Sequence, residues 1–200
     1  MKPLRLGILV SGGGTTMQNL AEVIARGELN AQIACCIASN QECFAIERAK
    51  KLAIPVEVIS RKQSGTLDTF SDHIAATLRR HHVDLVLMAG FLSLWKIPHD
   101  FSGRVMNIHP ALLPKFGGKG MHGEKVHEAV LAAGETQSGC TVHWATDDYD
   151  SGPIIVQKKV PVLPGDSPHS LAARVFEAEC EAYPEAVQLF IAGKARFDRR

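Results

Sequence analysis

Apolar residues in the first half of the chain come in short, unbroken runs separated by stretches of helical spacing. Residues 6–10, 33–38, 56–59 and 84–89 read as strands. Several of these runs are apolar on both faces, which fits a parallel sheet covered by helices on both sides. Between them, residues 17–26, 43–52 and 67–81 carry apolar positions three and four apart, the spacing of helices packed on such a sheet. A further apolar run, Arg104-Val105-Met106, leads into Asn107-Ile108-His109-Pro110 and then Leu112-Leu113-Pro114. After Pro110 the rhythm changes. A glycine-rich segment covers 116–123, a helix is expected over 125–133, and strands over 140–145 and 154–160. Pro161 and Pro164 close the last strand, and Ser167 or Ser170 is positioned to cap a long final helix through Gly193. The alternation predicts an α/β, doubly wound, mostly parallel sheet with helices on both faces. Neither an internal repeat nor a separating linker is visible, so one domain over 1–200 is expected.

Composition narrows the function classes. A chain of 200 residues with 46% apolar content can bury a substantial core. A net charge of +1 carries no global nucleic-acid or membrane-surface signature. Local basic pairs, Lys50-Lys51 and Arg199-Arg200, read as solvated surface. The longest apolar runs are far too short to cross a bilayer. The opening Met1-Lys2-Pro3-Leu4-Arg5 lacks a cleavage pattern, and five cysteines at 35, 36, 43, 140 and 180 form no metal-spaced set. Reduced, buried thiols in a cytoplasmic protein are the expectation. His122 and His127 are five apart and flank a glycine, which is not metal-ligand spacing either.

Two places carry candidate chemistry. Ser11-Gly12-Gly13-Gly14-Thr15-Thr16 joins the first strand to the first helix. Glycines let backbone approach a ligand closely, and the helix start offers free amides and partial positive charge. The loop lacks the Gly-Lys-Ser/Thr ending of an ATP-hydrolysing P-loop, and Asn19 stands where a dinucleotide fingerprint has its last glycine. Phosphate binding through Gly14, Thr15 and Thr16, or an ordinary tight turn, are the readings left. The second place is Asn107 and His109, two apart at a strand end and therefore on one face. An amide and an imidazole placed so can stabilise an oxyanion and move a proton. A carboxylate would favour the charged imidazole. Asp150, in Tyr149-Asp150-Ser151-Gly152-Pro153, is the expected partner; Asp147 and Asp148 are the alternatives, with turn capping as their other role. Spacing alone leaves a merely packed histidine open. Neither a serine nor a cysteine sits in a nucleophile-elbow setting, which disfavours a covalent mechanism.

The segments 12–16, Ala89-Gly90-Phe91, Asn107-Ile108-His109-Pro110, Leu112-Leu113-Pro114-Lys115, Gly139-Cys140-Thr141-Val142-His143 and Asp150-Ser151-Gly152-Pro153 occur in that order. Together they resemble the phosphoribosylglycinamide formyltransferases, the folate-dependent formyl transferases of purine biosynthesis, over residues 6 to about 193. The resemblance implies transfer of a formyl group from 10-formyltetrahydrofolate, as co-substrate, to the amine of glycinamide ribonucleotide, with no metal. It implies Asn107, His109 and Asp150 as the catalytic trio. It places the substrate phosphate on Gly14, Thr15 and Thr16, and Glu179 near the ribose. Folate would contact Leu92, Ser93, Leu94, Trp95 and Asn107, and the stretch 145–150. The first hundred residues would then hold the nucleotide phosphate, and the remainder the folate and the chemistry. The partners implied are small molecules, with no nucleic acid or membrane, in a monomer or homodimer.

The chain departs from the family pattern in places. Ser93 stands where many relatives carry arginine, so contacts to the folate tail differ. The 117–123 segment is longer and carries Lys119, as a flap or a surface loop. Arg61 and Lys62 are the candidates for an arginine that relatives use near the third strand. Competing readings are methionyl-tRNA formyltransferase, which adds a C-terminal domain and a basic surface, formyltetrahydrofolate hydrolase, which adds an N-terminal regulatory domain, and a non-catalytic nucleotide-binding module on the same scaffold.

Overall fold

The computed structural model describes residues 2–197; Arg199 and Arg200, expected as solvated surface, lie outside them. The chain divides into two compact units, Met1–Met106 and Asn107–Arg200. Among the described residues seven strands are hydrogen-bonded side by side in the order 56–58, 31–38, 4–10, 85–88, 105–109, 137–144 and 154–161.

In the first unit β1 (Leu4–Val10), α1 (Thr15–Ala25), β2 (Ala31–Ala38), α2 (Ala45–Lys51), β3 (Val56–Val58), α3 (Leu67–Arg80) and β4 (Leu85–Met88) follow one another. β1 pairs in parallel with both β2 and β4, and β2 in parallel with β3. Ile8 therefore lies level with Cys36 on one side and Leu87 on the other. All three are fully buried, as the uninterrupted apolar runs required. The helices turn one stripe each inward: Met17, Leu20 and Val23 from α1, and Phe70, Ile74 and Leu78 from α3. Thr66 starts α3 by accepting the Thr69 amide at 3.1 Å. A single 3-10 turn at His99–Phe101 was not foreseen from spacing; Phe101 anchors it beneath Trp95, with ring centroids 6.1 Å apart.

β5 (Val105–His109) begins in this unit and delivers its last three residues to the second. There α4 (Glu124–Ala132), β6 (Gln137–Trp144), β7 (Ile154–Pro161) and α5 (Pro168–Ile191) follow. β6 and β7 are antiparallel, with Val142 opposite Val156. β7 ends the strand order and buries only Val156, its other residues being half-buried or exposed, whereas β6 is buried from Ser138 onward. Ser167 and Ser170 each accept the other's amide, at 3.1 and 3.0 Å, with Pro168 at the first helical position; this start suits the 24-residue α5. Pro184 inside α5 removes one backbone donor. It is buried, as are Tyr183 and Val187 on the same helix. All five cysteines are free thiols.

Candidate active site

The chemistry gathers within the second unit, where β5 ends and the turn between β6 and β7 returns. β5 aims Asn107 and His109 to one side, as two-residue spacing requires, and Asp150 meets both. The Asn107 Nδ2 donates to Asp150 Oδ1 at 3.2 Å. His109 Nδ1 lies 3.5 Å from Asp150 Oδ2. Asp150 itself takes a left-handed backbone conformation, φ 52°, which aspartate tolerates better than most residues. Two residues on, a side chain on Gly152 would collide with the Trp144 carbonyl; glycine alone lets this turn settle on β6. Asp148 serves the turn instead, its carbonyl accepting from the hydroxyls of Thr146 and Ser151. The segment after β5 is held just as firmly. The buried Thr141 hydroxyl donates to the Ala111 carbonyl at 2.6 Å and accepts the Leu113 amide at 3.1 Å.

The glycine-rich segment contributes backbone groups. His109 Nε2 donates to the Phe116 carbonyl at 2.8 Å, and the Gly118 amide donates to Asp150 Oδ2 at 2.9 Å. A carbonyl can only accept, so the hydrogen of neutral His109 sits on Nε2 and its lone pair on Nδ1 faces Asp150. Phe116 reaches this position with φ 57°.

The charge state departs from the sequence expectation. Burial pushes the pKa of His109 down, and this outweighs the upward pull of Asp150 and the Phe116 carbonyl; His143 pushes further down. His109 is 4% exposed, and removal from water favours the neutral ring. The resting site thus holds a neutral imidazole beside a carboxylate, not the imidazolium that an Asp partner alone suggests. For Asp150, burial pushes upward, but the polar groups around it, the Gly118 amide donating to Oδ2 among them, hold it below the usual carboxylate range.

His143 was missed as a site residue. Its Nε2 lies 3.1 Å from Asn107 Nδ2, and its Nδ1 lies 2.9 Å from the Trp144 carbonyl oxygen. The available signal was a histidine in an otherwise apolar strand, two residues after Thr141 and on the same face. Both hydrogens of the Asn107 amide are accordingly taken up within the cluster.

The sequence model of the formyl transferase family matches residues 4–187. The chain belongs to the formyl transferase family. A phosphoribosylglycinamide formyltransferase of Haemophilus influenzae is 34% identical over 96% of this chain and 89% of its own length. The chloroplastic phosphoribosylglycinamide formyltransferase of Arabidopsis thaliana is 39% identical over 92% of this chain. This chain spans only 64% of that relative's length, and 14% of the trifunctional purine biosynthetic protein of Drosophila pseudoobscura. Among solved structures, a phosphoribosylglycinamide formyltransferase of Coxiella burnetii superposes with a TM-score of 0.90 at 34% identity, covering 98% of this chain and 91% of its own. A glycinamide ribonucleotide transformylase of Symbiobacterium toebii gives 0.89 at 34% identity, covering 96% and 89%.

The remaining candidate residues of this member of the family sit as follows. In the first unit Gly14 precedes α1 with φ 74°, and a side chain there would crowd Ala45. Thr15 is exposed and Thr16 is 9% exposed. Arg48 lies alongside the loop, its Nε donating to the Gly13 carbonyl at 2.8 Å and its Nη1 to Gln18. Leu92 is exposed, and Ser93 and Leu94 are half-buried. Trp95 is 2% exposed, with its indole N–H directed at the Ser71 carbonyl, so its ring serves the core and offers no open face for a pterin. In the second unit Glu179 is half-buried on α5. Burial alone lifts its carboxyl to about 7. Among the described residues no group of three or more His, Cys, Asp or Glu side chains is placed to hold a metal ion, and no helix is long and apolar enough to cross a membrane.

Proposed function

We propose that the chain transfers the formyl group of 10-formyltetrahydrofolate to the amine of glycinamide ribonucleotide, by direct attack of the amine. The observation that carries this is the meeting of Asn107, His109 and Asp150 around one carboxylate, in a formyl transferase that covers 89% of a relative bearing that activity in its name. The cluster holds an amide donor and a proton acceptor but no activated Ser, Cys or Lys, which suits attack by the substrate's own amine.

The charge states give the order of events. Attack on the formyl carbon creates a negative oxygen and a positive nitrogen together. The nitrogen must lose a proton, and Nδ1 of neutral His109 is the unprotonated ring nitrogen that can take it, since Nε2 carries the hydrogen held by the Phe116 carbonyl. A proton there turns a neutral ring beside Asp150 into an ion pair, so positive charge appears at the site as the oxyanion forms. Asn107 turns toward that oxygen the amide hydrogen that Asp150 Oδ1 accepts at rest, while His143 keeps the other. Collapse of the adduct expels the folate nitrogen, which takes up the proton from His109 directly or through water. Holding the two reactants together supplies a large part of the rate.

The phosphate role belongs to Gly14, Thr15 and Thr16, with Arg48 as a nearby cation, and the ribose role to Glu179. Leu92, Ser93 and Leu94 remain the folate contacts, alongside Asn107. The working form is a monomer or homodimer in the cytoplasm. The test is turnover of 10-formyltetrahydrofolate by the purified chain with and without glycinamide ribonucleotide. Formylated product that requires the amine supports the reading. Folate release without the amine would mark a hydrolase, and nucleotide binding without turnover a binding module.

A further inference from the structure

We propose that His143 is a positioning residue for formyl transfer: as a fixed hydrogen-bond acceptor, it holds the Asn107 amide in the orientation that the reaction uses. The proposal rests on the reading of the chain as a formyl transferase.

The geometry assigns the ring's hydrogen. The Trp144 carbonyl oxygen, 2.9 Å from Nδ1, can only accept, so Nδ1 carries the N–H. Nε2 then offers a lone pair, which takes one Asn107 hydrogen at 3.1 Å. Nε2 also lies 3.5 Å from Asp150 Oδ1. That approach is longer, and two acceptors do not attract. Asp150 Oδ1 takes the second Asn107 hydrogen at 3.2 Å. Two acceptors therefore flank Nδ2, and a flipped amide would set its oxygen against both a carboxylate and a lone pair. His143 is 1% exposed, so water cannot replace it as acceptor. The Trp144 carbonyl that faces the ring is also the atom that a side chain on Gly152 would strike, so the bare glycine lets the Asp150 turn settle there. One carbonyl thus sets His143 while the turn above it delivers Asp150, and Asn107 sits between the two.

The first test is independent of activity. Nitrogen-15 shifts of the histidine rings in the full-length chain are expected to place the His143 ring hydrogen on Nδ1 and to leave Nε2 without one. Hydrogen on Nε2 would overturn the proposal. The second test is a cycle of variants. His143→Leu is expected to lower kcat about tenfold to thirtyfold, the effect of one lost buried hydrogen bond with its partner left unpaired, with KM for both substrates within about threefold. In an Asn107→Ala background the same change should lower the residual kcat by less than about twofold, because the group it acts through is gone. His143→Gln, which keeps an acceptor, should restore kcat to within about threefold of the wild type. Equal losses in both backgrounds would refute action through Asn107. Should His143→Leu fail to fold, the ring spectrum and His143→Gln decide. A wild-type chain that transfers no formyl group would remove the functional reading instead, whatever the ring shows.

Discussion

Glu179→Gln offers a measurement in which a buried charge is weighed against a neutral twin. The Glu179 carboxyl has neither a hydrogen bond nor an ion pair among the described residues, and burial alone raises it from 4.5 to about 7. The sign follows directly. The folded chain prefers the protonated acid, so this preference supports folding below the unfolded pKa and is lost as pH rises through about 7. A displacement from 4.5 to about 7 corresponds to roughly 3 kcal/mol of destabilisation once the group is fully ionised. The side chain keeps some solvent contact, so that figure is a ceiling. At pH 5 the cost is under about 1 kcal/mol by the same linkage, because most of the folded population is still protonated. Glutamine is neutral throughout. The stability gap in favour of Glu179→Gln should therefore widen by about 2 kcal/mol between pH 5 and pH 8, read by urea unfolding with unchanged slopes. A gap that stays constant with pH would refute the burial argument. If Glu179 also binds the ribose, the stabilised variant should raise KM for the ribonucleotide and leave KM for folate alone. That outcome would trade stability against binding at one position.

His109→Ala and Asp150→Ala should each lower kcat by two or more orders of magnitude with the fold intact by circular dichroism; near-wild-type turnover in either would take that residue out of the chemistry. Because the resting His109 must be neutral to accept a proton and burial holds its pKa below the ordinary value of 6.5, the acid limb of kcat/KM should have its midpoint below pH 6.5; a midpoint above pH 6.5 would contradict a neutral resting ring. Gly152→Ala should cost more than 2 kcal/mol or abolish turnover, because its methyl group collides with the Trp144 carbonyl; an active, equally stable variant would show that the turn has room. Thr15→Ala and Thr16→Ala should raise KM for the phosphorylated substrate more than KM for folate, and equal effects in steady-state kinetics would remove the phosphate assignment.

The strands of the first unit were legible because burial on both faces leaves no choice of residue: the runs around Leu9, Ile37 and Leu87 are apolar without a break. Boundaries slipped where polar residues continue an element, as at Thr15 and Thr16, which open α1, and at Gln137 and Ser138, which open β6. Asn107, His109 and Asp150 could be named from residue type and order. Their protonation could not, because the deciding quantity is the water removed from His109, and that depends on what packs over it. His143 escaped for the same reason. In sequence it is one histidine among nine; its meaning comes from β6 and from the Asp150 turn above it. Backbone groups are silent in any sequence, so the Phe116 carbonyl and Gly118 amide were beyond reach. Trp95 misled in the other direction, since an aromatic residue in a loop resembles a binding face until its ring is found filling the interior.

The stretch from Phe116 to Gly118 holds both halves of the proposed proton relay through main-chain atoms, one to His109 and one to Asp150. Side-chain replacement in this stretch leaves those two atoms in existence, so its influence on rate must come through backbone shape. Lengthening, shortening or stiffening these few residues would then act as a throttle on turnover while leaving the identity of every reacting side chain untouched. Two related chains with the same Asn, His and Asp can accordingly run at different speeds.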